Sequence, residues 1–374
     1  MDVRSTIYRV TVGTLLVGVV ALGMPGLCWG QARPDPLYIG PYPSPKGLRA
    51  GRLEIYPRVE VEEVYDDNIF LDADDEQHDF ITHYRPDVHA RWALGDHVVE
   101  VGANADIADY SDNERENFTN HTFDGAIFLN FARVTVAAME YFTDTTEPSS
   151  SAAQSELAPR TRHEDNETVG VVGLKFGEKA RIEFDARYFD TDYKRPDLKR
   201  LELNEIGGGT SFFWRVAPKT DIFAGYEFTE VIFDDLDKID PQDDSLNHVW
   251  LAGLSFEPGA KLVGRVSGGA QFRDFESLED RTIPAFATAL TWFATPKFTL
   301  AVHFSREFED SSSSSADEFI RATKMRASMA YNLTDRLAVR LEGEYDLDDY
   351  NTDREEESGR GVAEIGYFIV RDLV

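Results

Sequence analysis

Carboxylates dominate the chemistry this chain could perform. Its 374 residues hold 68 Asp+Glu against 38 Lys+Arg, a formal net charge of −30. With so many acids, adjacent Asp/Glu pairs arise by chance, and none stands out as an acid and base for glycoside cleavage. The acids gather in runs, such as Asp234, Asp235, Asp237, Asp240, Asp243 and Asp244, then Asp346, Asp348 and Asp349, then Glu355, Glu356 and Glu357. Such runs read as a solvated outer surface or as a divalent-cation bridge to anionic lipopolysaccharide. His83 and His89 fit neither a zinc helix nor a catalytic triad in their spacing. Ser311 to Ser315 have no G-x-S-x-G frame. Gly207-Gly208-Gly209 precedes no helix, so it reads as a kink or close backbone approach rather than a phosphate loop. No catalytic residue, cofactor or metal site is expected.

The sharpest local pattern is Glu63-Val64-Tyr65-Asp66-Asp67-Asn68-Ile69-Phe70. Short Asp and Asn side chains bond nearby backbone groups and shape turns. A calcium site using Asp72, Asp74, Asp75 and Glu76 is the alternative, but no glycine stands where a calcium loop needs its sharp turn.

Composition narrows the classes. The acidic balance excludes a phosphate-binding face. Mean hydropathy of −0.37 is too polar for a bundle of membrane helices. A hydrophobic share of 42%, with 25 Phe and 15 Tyr, is too high for a disordered chain. A β-barrel with apolar residues toward lipid and polar ones toward a lumen meets all three conditions. The N-terminus agrees. Arg4 and Arg9 precede an apolar run from Val10 to Leu22, too short to span a bilayer and suited to an export signal. Cleavage after Gly30 or Ala32 fits, and residues 1–30 are read as the signal. Leu27 before Cys28 argues against lipid attachment at that cysteine. Residues 31–51 form a proline-rich periplasmic segment, extended and ordered only with a partner. Residues 52–374 are read as the barrel.

From Arg52 onward the hydrophobic pattern has period two, the mark of a strand. Phe80, Thr82, Tyr84, Pro86, Val88, Ala90, Trp92 and Leu94 alternate with a polar set; Ile182, Phe184, Ala186 and Tyr188 do the same. The runs last about 10–14 residues, which suits tilted membrane strands better than a soluble sandwich. Short turns near Gly95-Asp96, Gly177-Glu178-Lys179, Ala217-Pro218-Lys219 and Thr295-Pro296-Lys297 alternate with long polar loops. The expected fold is an all-β, transmembrane, antiparallel up-and-down barrel of about 16 strands. These start near residues 52, 80, 97, 118, 134, 164, 180, 201, 220, 245, 260, 281, 298, 317, 336 and 358. The layout of Tyr331–Ala338 recurs at Tyr367–Val374, so a truncated chain and 18 strands form one expectation. Direct closure of the last strand on the first is the other.

Alternation also names a channel lining. Arg58, His83, Arg85, Asp87, His89, Arg91 and Asp106 point inward from the first strands. Arg181, Glu183, Asp185 and Arg187 follow, then Arg265 and Arg273, then Lys324, Arg326, Arg340, Glu342 and Glu344. Facing lipid, an Arg or Lys would cost about 2–4 kcal/mol at mid-bilayer. These side chains can hold the wall as cross-strand ion pairs or bond the hydroxyls and carboxylates of a passing sugar chain.

With the leader and the proline-rich lead-in, Tyr65, Asp66, Asp67, Asn68, Ile69 and Phe70 resemble an outer-membrane β-barrel porin family tied to exopolysaccharide biosynthesis loci. The resemblance implies a non-enzymatic barrel in the outer membrane of a Gram-negative bacterium. It implies that extracellular polysaccharide leaves through it beside a periplasmic polysaccharide-export protein, with outer-membrane lipid and lipopolysaccharide around it and no nucleic acid. If the chain is truncated, the final strands that the family pattern implies are the part it lacks. Three rival readings stand beside it: a small-solute porin, a surface enzyme acting on polysaccharide or lipid, and a structural barrel with a plugged lumen.

Overall fold

A computed structural model describes residues 7–15, 48–66, 68–70, 77–147, 161–233, 244–257, 260–276, 279–310, 319–334, 337–350 and 355–367. Two short segments come first, β1 (Ile7–Leu15) and β2 (Leu48–Ala50). The main run follows: β3 (Leu53–Asp66), β4 (Asp79–Leu94), β5 (His97–Tyr110), β6 (Phe118–Asn130), β7 (Val134–Glu147) and β8 (Thr161–Phe176). It continues through β9 (Ala180–Tyr193), β10 (Leu203–Ala217), β11 (Thr220–Phe233), β12 (Ser245–Phe256) and β13 (Leu262–Phe275). It ends with β14 (Arg281–Thr295), β15 (Phe298–Asp310), β16 (Phe319–Asn332), β17 (Leu337–Tyr350) and β18 (Glu355–Tyr367). The run β3 to β18 is the 16-strand antiparallel up-and-down sheet read from the sequence. Its observed starts fall within three residues of the expected ones.

Each neighbouring pair from β3 to β18 is an antiparallel ladder between consecutive strands. Two prolines leave local marks, because proline brings no N–H to a ladder. The β4–β5 register skips Arg85 and Pro86, and the β14–β15 register stops at Phe286, short of Pro284. The tight turns lie at one end of the sheet. Gly95 and Gly177 take φ of 69° and 66° there, and Lys219 takes φ of 62°. Glycine adopts that left-handed region without a Cβ penalty.

The outward face is mostly apolar. Trp92, Phe131, Phe176, Trp214, Trp292 and Tyr331 are exposed toward the tight-turn end, and Tyr84, Phe123, Tyr188, Trp250, Phe286 and Tyr345 toward the other. These are two aromatic girdles around an aliphatic belt, as in an outer-membrane barrel. Trp92 and Tyr84 are eight residues apart on β4. At ~3.3 Å per residue and ~40° of tilt that spans about 20 Å, close to the apolar height of such barrels.

Direct closure of the last strand on the first is not what the structure has. No ladder joins β18 to β3 among the described residues, and the sheet is not closed. The free edge of β3 is taken by β2, which pairs Leu48–Ala50 with Leu53–Ile55, and by β1, which pairs Ile7–Leu15 with Val59–Asp66. An edge strand offers unpaired N–H and C=O groups to any chain that can reach it. β1 lies inside the stretch read as an export signal, and β2 is the described part of the proline-rich segment. Residues 31–47 lie outside the described residues.

Candidate channel lining

Period two fixes which residues share a face, and antiparallel register then sets their partners across strands. On β3, Glu54, Tyr56, Arg58, Glu60, Glu62, Val64 and Asp66 fall on one face, opposite exposed Val59. The same parity turns His83, Arg85, Asp87, His89 and Arg91 of β4 inward, because Arg58 pairs with Asp87 and Glu60 with Arg85.

The β3–β5 wall is a charge network. Arg85 donates to Glu60 at 3.1 Å and to Glu62 at 2.5 Å, and approaches Asp106 at 3.3 Å. Arg58 donates to Glu60. His83 Nδ1 lies 2.8 Å from Asp106 Oδ1. Arg91 Nε donates to Glu100 at 2.9 Å, with Glu54 at 3.8 Å. His89 sits between Asp87 at 3.1 Å and Asp124 at 3.9 Å. The close cross-strand approach at His89 is possible because Gly102 faces it. A Cβ at Gly102 would come within 2.2 Å of Asp124 Oδ1 and 2.5 Å of the His89 ring. Beyond this network, Asn104, Thr122 and Thr143 are aligned across β5, β6 and β7, followed by Tyr141 opposite Asp124. All four are partly exposed.

The β8–β11 wall is more deeply buried. Arg187 of β9 is clamped between Glu167 of β8, at 2.7 Å, and Glu205 of β10. Asp185 and Glu227 lean over Gly209 from either side. A Cβ there would meet both Asp185 oxygens at 2.9 Å and Glu227 Cγ at 2.7 Å. The triple glycine is thus a close approach, one of its two expected roles. Nearer the tight turns, Arg181 lies 4.2 Å from the ring centre of Phe213, and Arg265 lies 4.4 Å from that of Phe223. The two rings stack at 5.5 Å. Arg181 also has Glu183 at 3.2 Å and Asp221 at 3.9 Å. Guanidinium groups over aromatic faces gain cation–π attraction that strengthens on desolvation.

Arg273, 1% exposed, donates to Ser245 Oγ at 3.0 Å and covers the Phe275 ring. At the far end, Arg326 donates to Glu344 at 2.6 Å and approaches Glu342 at 3.8 Å. Arg340 donates to Glu342, and Lys324 faces Asp346 in register. Every residue expected in the lining therefore sits on the inward parity, and most are held in ion pairs. Glu62, Asp124, Glu167, Glu205, Phe213, Asp221 and Phe223 belong to the same wall and were not expected. Their alternation was the available signal, blurred on β8 by outward Glu164, Asn166 and Thr168 and on β10 by the glycines.

The Tyr65–Phe70 segment is a turn at the long-loop mouth. Asn68 N–H donates to Asp66 Oδ1 at 2.9 Å, and Ile69 N–H to the Gln77 carbonyl at 2.8 Å. Ile69 is buried with Val64, Ile81, Ala108 and Tyr110, and Phe70 packs against them. Tyr65 meets Phe80 at a tilt of 51°, with ring centres 5.0 Å apart. This is the turn-forming role. Asp67 lies outside the described residues, as do Asp72, Asp74, Asp75 and Glu76 of the calcium alternative. Asp79, with no exposed surface, accepts from Asp112 N–H at 3.1 Å and from Asn113 N–H and Nδ2 at 2.9 Å, tying two loops together.

Outside the membrane-spanning strands, Lys194 is tied to Asp192 at 2.8 Å and Glu164 at 2.9 Å. The Asp192 hydrogen bond, then the Glu164 one, push the Lys194 ammonium above its usual pKa. Burial raises the Glu202 carboxyl, although Lys199 donates to it at 2.7 Å.

No curated protein matches the chain. Among solved structures, the chain is similar to a mutant ferric enterobactin receptor, PfeA, from Pseudomonas aeruginosa. The identity is 8%, over 87% of this chain and 69% of that one, with a TM-score of 0.43. It is similar also to the siderophore receptor PirA from Acinetobacter baumannii, at 7% identity over 87% and 73% with a TM-score of 0.38. The alcaligin receptor FauA from Bordetella pertussis gives 10% identity over 83% and 64%, with a TM-score of 0.34. The family model is the stronger finding. It matches residues 40–374, from just before β2 through the last strand, and on that match the chain belongs to the porin family described as "Putative beta-barrel porin 2".

Proposed function

We propose that this porin-family barrel is a passive conduit for extracellular polysaccharide across the outer membrane of a Gram-negative bacterium. The observation that supports the reading most is the composition of the inward wall. Partly exposed Asn104, Thr122, Tyr141 and Thr143 offer amide and hydroxyl groups. Beside them run charges neutralised in pairs, such as Arg85 with Glu60 and Glu62. A sugar chain exchanges hydrogen bonds with such groups as it slides, and paired charges hold it less tightly than free ones would. The conduit performs no covalent chemistry, and its driving force comes from elsewhere. A periplasmic polysaccharide-export protein would deliver the polymer, and residues 1–30 would direct export of the barrel itself. Lipopolysaccharide would surround the long-loop end.

A small-solute porin is the second reading, favoured by the family description itself. Polysaccharide fractionation of a deletion strain separates the two. Loss of polymer from surface and medium, with small-solute uptake intact, is the expected result. Normal surface polymer with impaired solute uptake would replace the first reading by the second.

A further inference from the structure

Glu140 is out of place. It is the fourth outward residue of β7, after Val134, Val136 and Ala138, and it is exposed. Register places it beside Gly125 of β6 and Thr168 of β8. One step toward the tight turns, Ala138 pairs with exposed Ile127; one step the other way, Phe142 pairs with exposed Phe123, with ring centres 6.2 Å apart. Along β6 and β7 the carboxylate is thus bracketed by apolar side chains of the lipid-facing belt, where a charge is costly, while β8 sets Thr168 beside it and Asn166 beside Phe142. The Thr168 hydroxyl donates to the carboxylate at 2.6 Å. That leaves it without a cation among the described residues. The surface around it is low, because Gly125, Ala138 and Gly170 carry little side chain, so another protein wall can come close.

The same chain holds the complementary group. Arg306 is the fifth outward residue of β15, after Phe298, Leu300, Val302 and Phe304. It pairs in register with exposed Phe286. Its Nε is buried with no hydrogen-bond acceptor, and no ion pair holds its guanidinium among the described residues. One outward step separates its height from that of Glu140, about 5 Å along the barrel axis at ~3.3 Å per residue and ~40° of tilt. An arginine side chain can reach across that offset.

We propose that Glu140 of one copy pairs with Arg306 of the next, so that the barrel self-associates side to side in the membrane. Each charge then leaves lipid for a partner of opposite sign, which neither finds among the described residues of its own chain. β8 to β14 lie between the two strands in the run, so the contact joins different faces of each copy and is head-to-tail. With nearly half the run between the two faces, repetition builds rows rather than a small ring.

The test uses the full chain with Cys28→Ala, which removes its single cysteine. Chains carrying Glu140→Cys and Arg306→Cys, with different tags, are co-expressed and oxidised in native membranes. A disulfide between the two tags is expected, with little linkage within the Glu140→Cys population. Linkage confined to Glu140→Cys pairs, or a barrel of monomer mass in mild detergent with no linkage, overturns the proposal. Charge reversal gives a second readout. Glu140→Arg is expected to reduce the assembled fraction at least tenfold, and adding Arg306→Glu to restore it. Should Glu140→Arg fail to insert, Glu140→Gln is expected to give the same loss; an unchanged mass distribution in that variant counts against the contact. Heat-dependent electrophoretic migration confirms that each variant is folded.

Discussion

Replacing Arg187 by Met tests whether the lining is held by its ion pairs. The Arg187 side chain is 9% exposed, and those of Glu167 and Glu205 are 14% and 6% exposed. Met keeps the unbranched stem and removes the guanidinium. Two nearly buried carboxylates then face each other from either side of Phe189, with which both pair in register. Removing one partner of a buried pair costs about 3–5 kcal/mol, because the remaining charge is uncompensated. The gross Coulomb attraction is larger, but desolvation of all three groups offsets most of it. Arg187→Met is therefore expected to lower the unfolding free energy by about 3–5 kcal/mol. Urea titration of the detergent-folded barrel at neutral pH, followed by tryptophan fluorescence, measures this. Replacing all three by Met, Leu and Leu should recover most of the loss, since apolar isosteres of buried triads are often neutral. A loss under 1 kcal/mol for Arg187→Met, or a triple variant weaker than the single one, would refute this account of the wall.

Other consequences can be checked alongside. Asp79→Ala strips three donors of their acceptor at the long-loop mouth and should cost at least about 2 kcal/mol, read as faster proteolysis between residues 111 and 117. Phe213→Ala removes a ring that is 1% exposed and stacked between Phe223 and Arg181; a loss of about 3–5 kcal/mol is expected, together with a larger single-channel conductance. Raising Lys194 above its usual pKa makes its contribution full below the ordinary lysine value and lost as pH climbs through the folded one. Alkaline titration should thus loosen the β9–β10 loop, by protease nicking, and Lys194→Met should remove that pH dependence. Gly95→Ala forces a Cβ into φ of 69° and should lower stability by roughly 1 kcal/mol.

Most of the fold was legible because a membrane strand writes its two faces in alternate residues. The run from Ile182 to Tyr188 gives strand, face and depth at once, and observed strand starts lie within three residues of those read. The inward faces of Arg85, Arg187 and Arg326 were legible for the same reason. Their partners were not. Glu62, Glu167 and Glu205 become neighbours only through register across separate strands, which a period along one strand does not encode. The stacking of Arg181 and Arg265 on Phe213 and Phe223 was hidden likewise, since inward phenylalanines break a simple rule of polar lumen and apolar exterior. Of the two expectations for the edge of β3, direct pairing with the last strand is not met: β1 and β2 occupy that edge instead. Glu140 escaped notice because a lone acid among 68 carries no signal until its neighbours on β6 and β8 are known.

The most direct test of the conduit is current through single barrels in a planar bilayer, with the polysaccharide of the producing strain added to the tight-turn side. Steady conductance interrupted by brief, reversible, concentration-dependent blockades is the expected record, with blockades lengthened when Asn104, Thr122 and Tyr141 are intact and shortened when they are replaced by Ala. Open channels that small neutral sugars enter and the polymer never interrupts would contradict it.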